Sequence, residues 1–211
     1  MSPNPFRRYT LFGLAVVLLV AGSLWLKAGP APDTGQNETK PLSFDLGGPF
    51  TLTDAGGRPV NEASWPGKLL LIYFGYRFCP DICPTTLQTI ATAVDRLGPD
   101  GEKVQPLFIT VDPARDRPEM LPAYVGLFHP RLIGLTGTPD QIAAIARLFR
   151  VYYHKVDSAD PETYTIDHSA FSFLVGEHGK VLKIFGHETS ADAMAAEIKA
   201  RLIPARVKKD P

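Results

Sequence analysis

Apolar residues recur along this chain in two rhythms, continuous runs and helical spacings, which alternate from residue 69 onward. Leu69 to Phe74 is an unbroken apolar run, as expected of a strand buried on both faces of a parallel sheet. After Pro84, residues Leu87, Ile90, Ala91, Val94 and Leu97 follow a helical spacing. Pro84 suits the first helical position, where a missing N–H costs nothing. Leu107 to Val111 predicts a second buried strand, and Met120, Leu121, Tyr124, Val125 and Phe128 predict a helix behind it. Leu132 to Leu135 adds a short segment. Thr138-Pro139-Asp140-Gln141 has the form of a capping box with proline at N1, opening a helix whose apolar face is Ile142, Ile145, Leu148 and Phe149. Ala170 to Val175 and Lys180 to Phe185 flank Glu177-His178-Gly179, which predicts two antiparallel strands about a tight turn. Met194, Ile198 and Leu202 mark a closing helix. The order βα, βα, α, ββ, α predicts an α/β sandwich, with parallel strands early and an antiparallel hairpin late. Met120 and Met194 fall on apolar helical faces and read as core.

Upstream the pattern changes. From Thr10 to Leu26 the chain carries no charge, with Arg7 and Arg8 before it and Lys27 after. That length, at about 1.5 Å per residue, nearly covers a hydrocarbon core of roughly 30 Å. Residues 10–26 are therefore expected to be a single transmembrane anchor. The paired arginines favour residues 1–9 in the cytoplasm, and everything after residue 27 is then expected outside the inner membrane, on the periplasmic side. A cleaved signal peptide is the alternative, although no small-x-small cleavage site stands out, and the short Arg7-Arg8 pair is a weaker hint of a twin-arginine signal. Residues 27–41, rich in Pro, Gly and polar groups, read as a flexible linker. The globular domain is assigned to 42–205, with a polar tail at 206–211.

Charge and cysteine content narrow the chemistry. The 22 Lys and Arg balance the 22 Asp and Glu, so nothing in the summed field recommends a nucleic-acid partner. The 2 cysteines lie close together, where a disulfide scaffold would need more of them spread along the chain. They sit in Gly75-Tyr76-Arg77-Phe78-Cys79-Pro80-Asp81-Ile82-Cys83-Pro84, a loop at the carboxyl end of the first strand, where open α/β sheets form their sites. Cys83 abuts the helix start, whose partial positive charge is expected to lower its pKa. A disulfide across so short a loop would constrain the unfolded chain little. The pair is therefore either redox-active or two legs of a metal site, and its spacing, one residue wider than the CxxC of thioredoxins, does not choose. A third, imidazole ligand would favour copper or zinc.

The segment Tyr73 to Leu87, the run Thr110-Val111-Asp112-Pro113-Ala114-Arg115-Asp116, Gly134-Leu135-Thr136-Gly137, and Tyr164-Thr165-Ile166-Asp167-His168-Ser169 together resemble the Sco/SenC family, which serves the synthesis of cytochrome oxidase. The resemblance covers essentially all of residues 42–203. It implies a thioredoxin-like α/β sandwich with a central mixed sheet, and one Cu(I) or Cu(II) bound by Cys79, Cys83 and His168. It also implies delivery of that copper to the dinuclear CuA site of cytochrome c oxidase, with the CuA-bearing subunit and an upstream periplasmic copper donor as partners. Some members carry a histidine just before the first cysteine, where this chain has Phe78. His168 also immediately precedes a predicted strand, where a thioredoxin oxidoreductase would carry a proline facing its thiols. No proline occurs between residues 162 and 175.

Asp112 is either an acceptor near the cysteine loop and an occasional ligand, or a turn former with Pro113, which is the stronger explanation. Arg115 and Asp116 are expected to form a local ion pair. His129, His154, His178 and His187 are expected at the surface, and the polar stretch 152–166 reads as a mobile flap before His168. Three functions compete: copper delivery, a thiol-disulfide reductase keeping the CuA cysteines reduced through Cys79 and Cys83, and a peroxidase or redox sensor. The last ranks lowest because Tyr76 occupies the position where peroxiredoxin-like chemistry uses threonine.

Overall fold

The computed structural model describes residues 46–156 and 163–202. The expected anchor at 10–26, the linker at 27–41 and the tail at 206–211 lie outside the described residues. Among the described residues no helix is long and apolar enough to cross a membrane.

The centre of the fold is the strand β3 (Leu69–Gly75), preceded by a small hairpin of β1 (Thr51–Thr53) and β2 (Pro59–Asn61). Every residue of β3 after Leu69 is buried, as the unbroken apolar run predicts. The helix α1 (Ile82–Arg96) follows, then β4 (Val104–Thr110), the short helix α2 (Leu121–Val125) and β5 (Ile133–Leu135). Helix α3 (Pro139–Phe149) leads to the hairpin of β6 (Tyr153–Val156) and β7 (Thr165–His168). Strands β8 (Ser172–Val175) and β9 (Val181–Phe185) and the helix α4 (Ala191–Leu202) complete the chain. The main sheet runs β5-β4-β3-β8-β9. Its first three strands are mutually parallel, while β8 and β9 join antiparallel. This is the mixed, thioredoxin-like sandwich implied by the resemblance.

Side-chain alternation along β3 sends consecutive residues to opposite layers. Phe74 meets Phe149 of α3 and Phe173 of β8, with ring centroids 5.5 Å and 5.9 Å away. Tyr73 faces the other layer, beside Cys83 and Thr86 of α1. On that same layer Phe108 of β4, the register partner of Tyr73, packs 5.4 Å from Tyr124 of α2. The capping box opening α3 is present: Thr138 Oγ1 accepts from the Gln141 N–H, and Gln141 Oε1 accepts from the Thr138 N–H.

Several expectations change. The helix expected through Phe128 contains only α2, entered through a 3-10 turn at Pro118–Met120 and ending at Val125, with Gly126 as its C-cap. Met120 is consequently half-buried, and its sulfur accepts from Arg77 Nη1 at 3.3 Å; only Met194 is core. Helix α1 begins at Ile82, which puts Pro84 third rather than first, still within the turn whose N–H groups have no intrahelical partner. His129 is buried, 8 % exposed; its Nδ1 accepts from the Arg131 N–H and its Nε2–H donates to Asp95. The other three, His154, His178 and His187, are exposed as expected.

The two ends of helix α3 test how stability is distributed. Phe149→Ala empties a site shared with Phe74 and Phe173, and should lower unfolding free energy by about 3–5 kcal/mol. Thr138→Ala removes only an exposed cap and should lower it by about 1 kcal/mol. Urea unfolding followed by circular dichroism measures both. Equal losses would mean that the aromatic cluster does not hold the α3 layer.

Candidate metal centre

The carboxyl end of β3 delivers two of the three expected ligands. Gly75 closes the strand, and the chain turns so that Cys83 becomes the second residue of α1. A Cβ at Gly75 would lie 2.7 Å from Cys83 Sγ, so only glycine lets the helix start approach the strand this closely. Cys83 is fully buried and Cys79 half-buried; both thiols are free. The Cys83 N–H donates to Cys79 Sγ at 3.4 Å.

His168, at the end of β7, supplies the third. Cys79 Sγ, Cys83 Sγ and a ring nitrogen of His168 all lie within 4.8 Å of one another. Cys83 Sγ is 3.3 Å from His168 Nε2. On its other side, His168 Nδ1 is 3.0 Å from the Ser169 carbonyl oxygen. A carbonyl only accepts, so Nδ1 carries a proton, and Nε2 is the ring nitrogen that faces the sulfurs and can serve as a ligand. The edges of Tyr73 and Tyr76 hold the ring, with centroids 6.2 Å and 5.8 Å away. Two thiols and one oriented imidazole form a soft donor set open on the Cys79 side, which suits copper or zinc.

The thiols differ in a way the helix N-terminus alone does not predict. Cys79, not Cys83, is held well below the ordinary thiol range, chiefly by the adjacent Cys83 thiol acting as hydrogen-bond donor, with burial opposing. Cys83 is pushed up by the Cys79 sulfur and by its own burial, which outweigh its place at the helix start. The site therefore pairs an accessible thiolate with a buried thiol.

Asp112, just past β4, is the hub between the cysteine loop and β7. Its backbone carbonyl accepts from the N–H groups of Arg115 and Asp116, which realises the expected turn. Its carboxylate is 3 % exposed, takes Arg115 Nε on one oxygen and accepts from Tyr164 Oη at 2.7 Å on the other. Both oxygens are engaged, and Asp112 lies outside the three-residue ligand group. Arg115 also donates from Nη1 to the Tyr164 carbonyl at 3.0 Å, and its guanidinium lies 3.5 Å from the Tyr164 ring centroid and 4.7 Å from that of Phe78. Burial, with the bond to Asp112, pushes the Tyr164 phenol up to about 12, so it stays a donor at physiological pH. Tyr76 Oη accepts from the Ile166 N–H at 3.2 Å and closes the circuit.

The Arg115–Asp116 ion pair expected from sequence is replaced by Arg115–Asp112. Asp116 turns inward instead and accepts from Thr110 Oγ1 and from the Arg77 N–H. Phe78, immediately before Cys79, is 53 % exposed. The stretch expected to be a flap is strand at both ends, β6 pairing with β7 from Tyr153↔His168 to Val156↔Thr165. Residues 157–162 lie outside the described residues. Sequence reasoning missed Tyr73, Tyr76 and Tyr164; the tyrosines inside the motifs around Cys79 and His168 were the available signal.

Comparison with known proteins agrees with this geometry. The family described as SCO1/SenC matches residues 38–202. An SCO2-like protein of Rickettsia prowazekii is 41% identical over 180 residues, covering 83% of this chain and 88% of its own. The human mitochondrial SCO1 homolog is 40% identical over 174 residues, 80% of this chain but 56% of its own length, so the chain spans little more than half of that relative. Among solved structures, Bradyrhizobium japonicum ScoI with copper bound is 41% identical, with a TM-score of 0.67 over 74% of this chain and 98% of that one. Yeast Sco1 with copper bound is 37% identical, with a TM-score of 0.70 over 79% of this chain and 96% of that one. With the matched region spanning most of its length, this chain belongs to the SCO1/SenC family.

Proposed function

We propose that this protein is a copper chaperone that binds one copper ion per chain through Cys79, Cys83 and His168 and delivers it to the CuA site of cytochrome c oxidase. The observation that carries the reading is the convergence of two sulfurs and one imidazole nitrogen within 4.8 Å, with the imidazole tautomer set by Ser169. Relatives of 41% and 37% identity whose structures hold copper support the choice of metal. Cu(I) is satisfied by two thiolates, whereas Cu(II) prefers the added imidazole. Copper is cargo here, passed by ligand exchange from a periplasmic donor to the CuA-bearing subunit. The N-terminal apolar segment would tether the domain to the inner membrane on its periplasmic side.

A second reading has its own observation: the accessible thiolate beside a buried thiol is what a disulfide reductase needs. Cys79 sulfur would attack a substrate disulfide and release one thiolate. Cys83, deprotonated, would then attack Cys79 in the mixed disulfide and release the second, leaving a Cys79–Cys83 disulfide. The apo-CuA cysteines would be the substrate.

Reduced protein should bind one copper per chain and, as Cu(II), show a thiolate-to-copper charge-transfer band. Cys79→Ala or Cys83→Ala should abolish the band. His168→Ala should weaken Cu(II) by at least about tenfold, with a smaller effect on Cu(I). Metal analysis and competition titration read this out, and full affinity in both cysteine variants would end the ligand assignment.

The lowered group is Cys79, so its thiolate persists until pH falls through its depressed folded-state value. Around pH 6 an ordinary thiol is less than about 1% thiolate, yet Cys79 should still alkylate with iodoacetamide while Cys83 stays protected. Peptide mass mapping distinguishes the two, and equal labelling would refute the asymmetry.

Delivery and reduction part at His168, which disulfide exchange does not use. A strain carrying His168→Ala should lose CuA assembly nearly as fully as a Cys79→Ala strain at limiting copper. Added copper should rescue only the histidine variant, since mass action refills a weakened site. Normal oxidase in the histidine strain, with none in either cysteine strain, would establish reduction instead.

A further inference from the structure

Tyr73 is fully buried on β3, and its ring stands edge-on to His168 at 6.2 Å. Its ring edge and the Cys83 sulfur border the same small space: the Cβ position of Gly75 is 3.1 Å from Tyr73 Cε1 and 2.7 Å from Cys83 Sγ. The phenol's polar neighbours are the Cys83 thiol and the Thr86 hydroxyl. Nevertheless, neither the Tyr73 nor the Thr86 hydroxyl makes a well-formed hydrogen bond. A buried hydroxyl left in this state carries a desolvation penalty that phenylalanine would avoid. A neutral thiol is a poor acceptor, whereas a metal-bound thiolate is negatively charged and accepts well.

We propose that the Tyr73 hydroxyl is held for the copper-bound state, in which it donates a hydrogen bond to the Cys83 thiolate and biases the site toward Cu(I). The inference rests on the copper reading above. A hydrogen bond to a ligand sulfur draws electron density away from the metal. Cu(II) depends on that donation more than Cu(I), so the bond raises the reduction potential of the bound ion. Tyr73 is a positioning residue rather than a ligand. Phenylalanine would preserve the ring against His168 and Phe108 while removing only the donor.

The test uses the full-length protein in detergent, loaded with Cu(I) or Cu(II) alone. Relative to wild type, Tyr73→Phe should retain one copper per chain in both states, with the ratio of Cu(I) to Cu(II) affinity falling about tenfold, the scale of a hydrogen bond to a charged group. Its charge-transfer band should move to lower energy, because the Cys83 sulfur, no longer stabilised by a hydrogen bond, gives up an electron more easily. A folded variant with unchanged ratio and band energy would overturn the assignment of Tyr73 while leaving the copper reading intact. Failure of the wild-type protein to bind copper would overturn both. If Tyr73→Phe does not fold, Thr86→Val serves in its place: it removes the competing hydroxyl and should leave the ratio unchanged or higher. A fall in that variant would assign the sulfur's hydrogen bond to Thr86 and refute the proposal.

Discussion

The antiparallel register of β3 with β8, which sets Tyr73 opposite Ser172, is the constraint on which the site depends. Because these strands run in opposite directions, the end of β3 and the beginning of β8 emerge at the same edge of the sheet. The cysteine loop leaves from the first, and the segment from His168 to Phe171 arrives at the second. Ligands 85 positions apart in sequence, Cys83 and His168, thereby come within 3.3 Å. A slip of one residue would turn Phe173 away from Phe74 and Phe149, so aromatic packing in the far layer fixes the register that the metal centre uses.

Register alone brings two loops to one edge; it does not set their spacing. That falls to Asp112 and Arg115, supplied by the parallel neighbour β4. One guanidinium reaches the Phe78 ring on the cysteine loop and the Tyr164 carbonyl beside β7, while Asp112 holds both Arg115 and the Tyr164 hydroxyl. A charged pair this buried stabilises a particular geometry more than it stabilises folding, because desolvation offsets much of its attraction. Its contribution is to tie the segment after β4 both to the cysteine loop and to the segment entering β7.

How much of this was legible in the sequence follows the physics of each element. Leu69 to Phe74 and the capping box at Thr138 could be read because burial on two faces and reciprocal side-chain bonds are local patterns. Strands β6 and β7 could not, since their residues are mostly exposed and polar, and only pairing across residues 157–162 makes them strands. The partner of Arg115 was missed because two carboxylates, Asp112 and Asp116, lie within reach in sequence, and tertiary contacts with Thr110 and Arg77 decide between them. Cys79, Cys83 and His168 were recognisable through separated motifs, but the unequal acidity of the thiols was not. It arises from the hydrogen bond between the two sulfurs, with the burial of Cys83 adding to it, and no spacing encodes either.

The two readings of the thiol pair make different demands on the third group. Disulfide exchange needs an accessible sulfur and a resolving sulfur, and it gains nothing from an imidazole lone pair held beside them. In this protein the ring is constrained from three sides: the Ser169 carbonyl accepts from Nδ1–H, and the rings of Tyr73 and Tyr76 limit its rotation. Such restraint lowers the entropic loss on metal binding and raises the donor strength of Nε2, both of which favour an ion that accepts nitrogen with sulfur. Cys79 is half-buried and reachable, whereas Cys83 is held from within. A site with one fixed sulfur, one accessible sulfur and one oriented imidazole is matched to holding a soft ion.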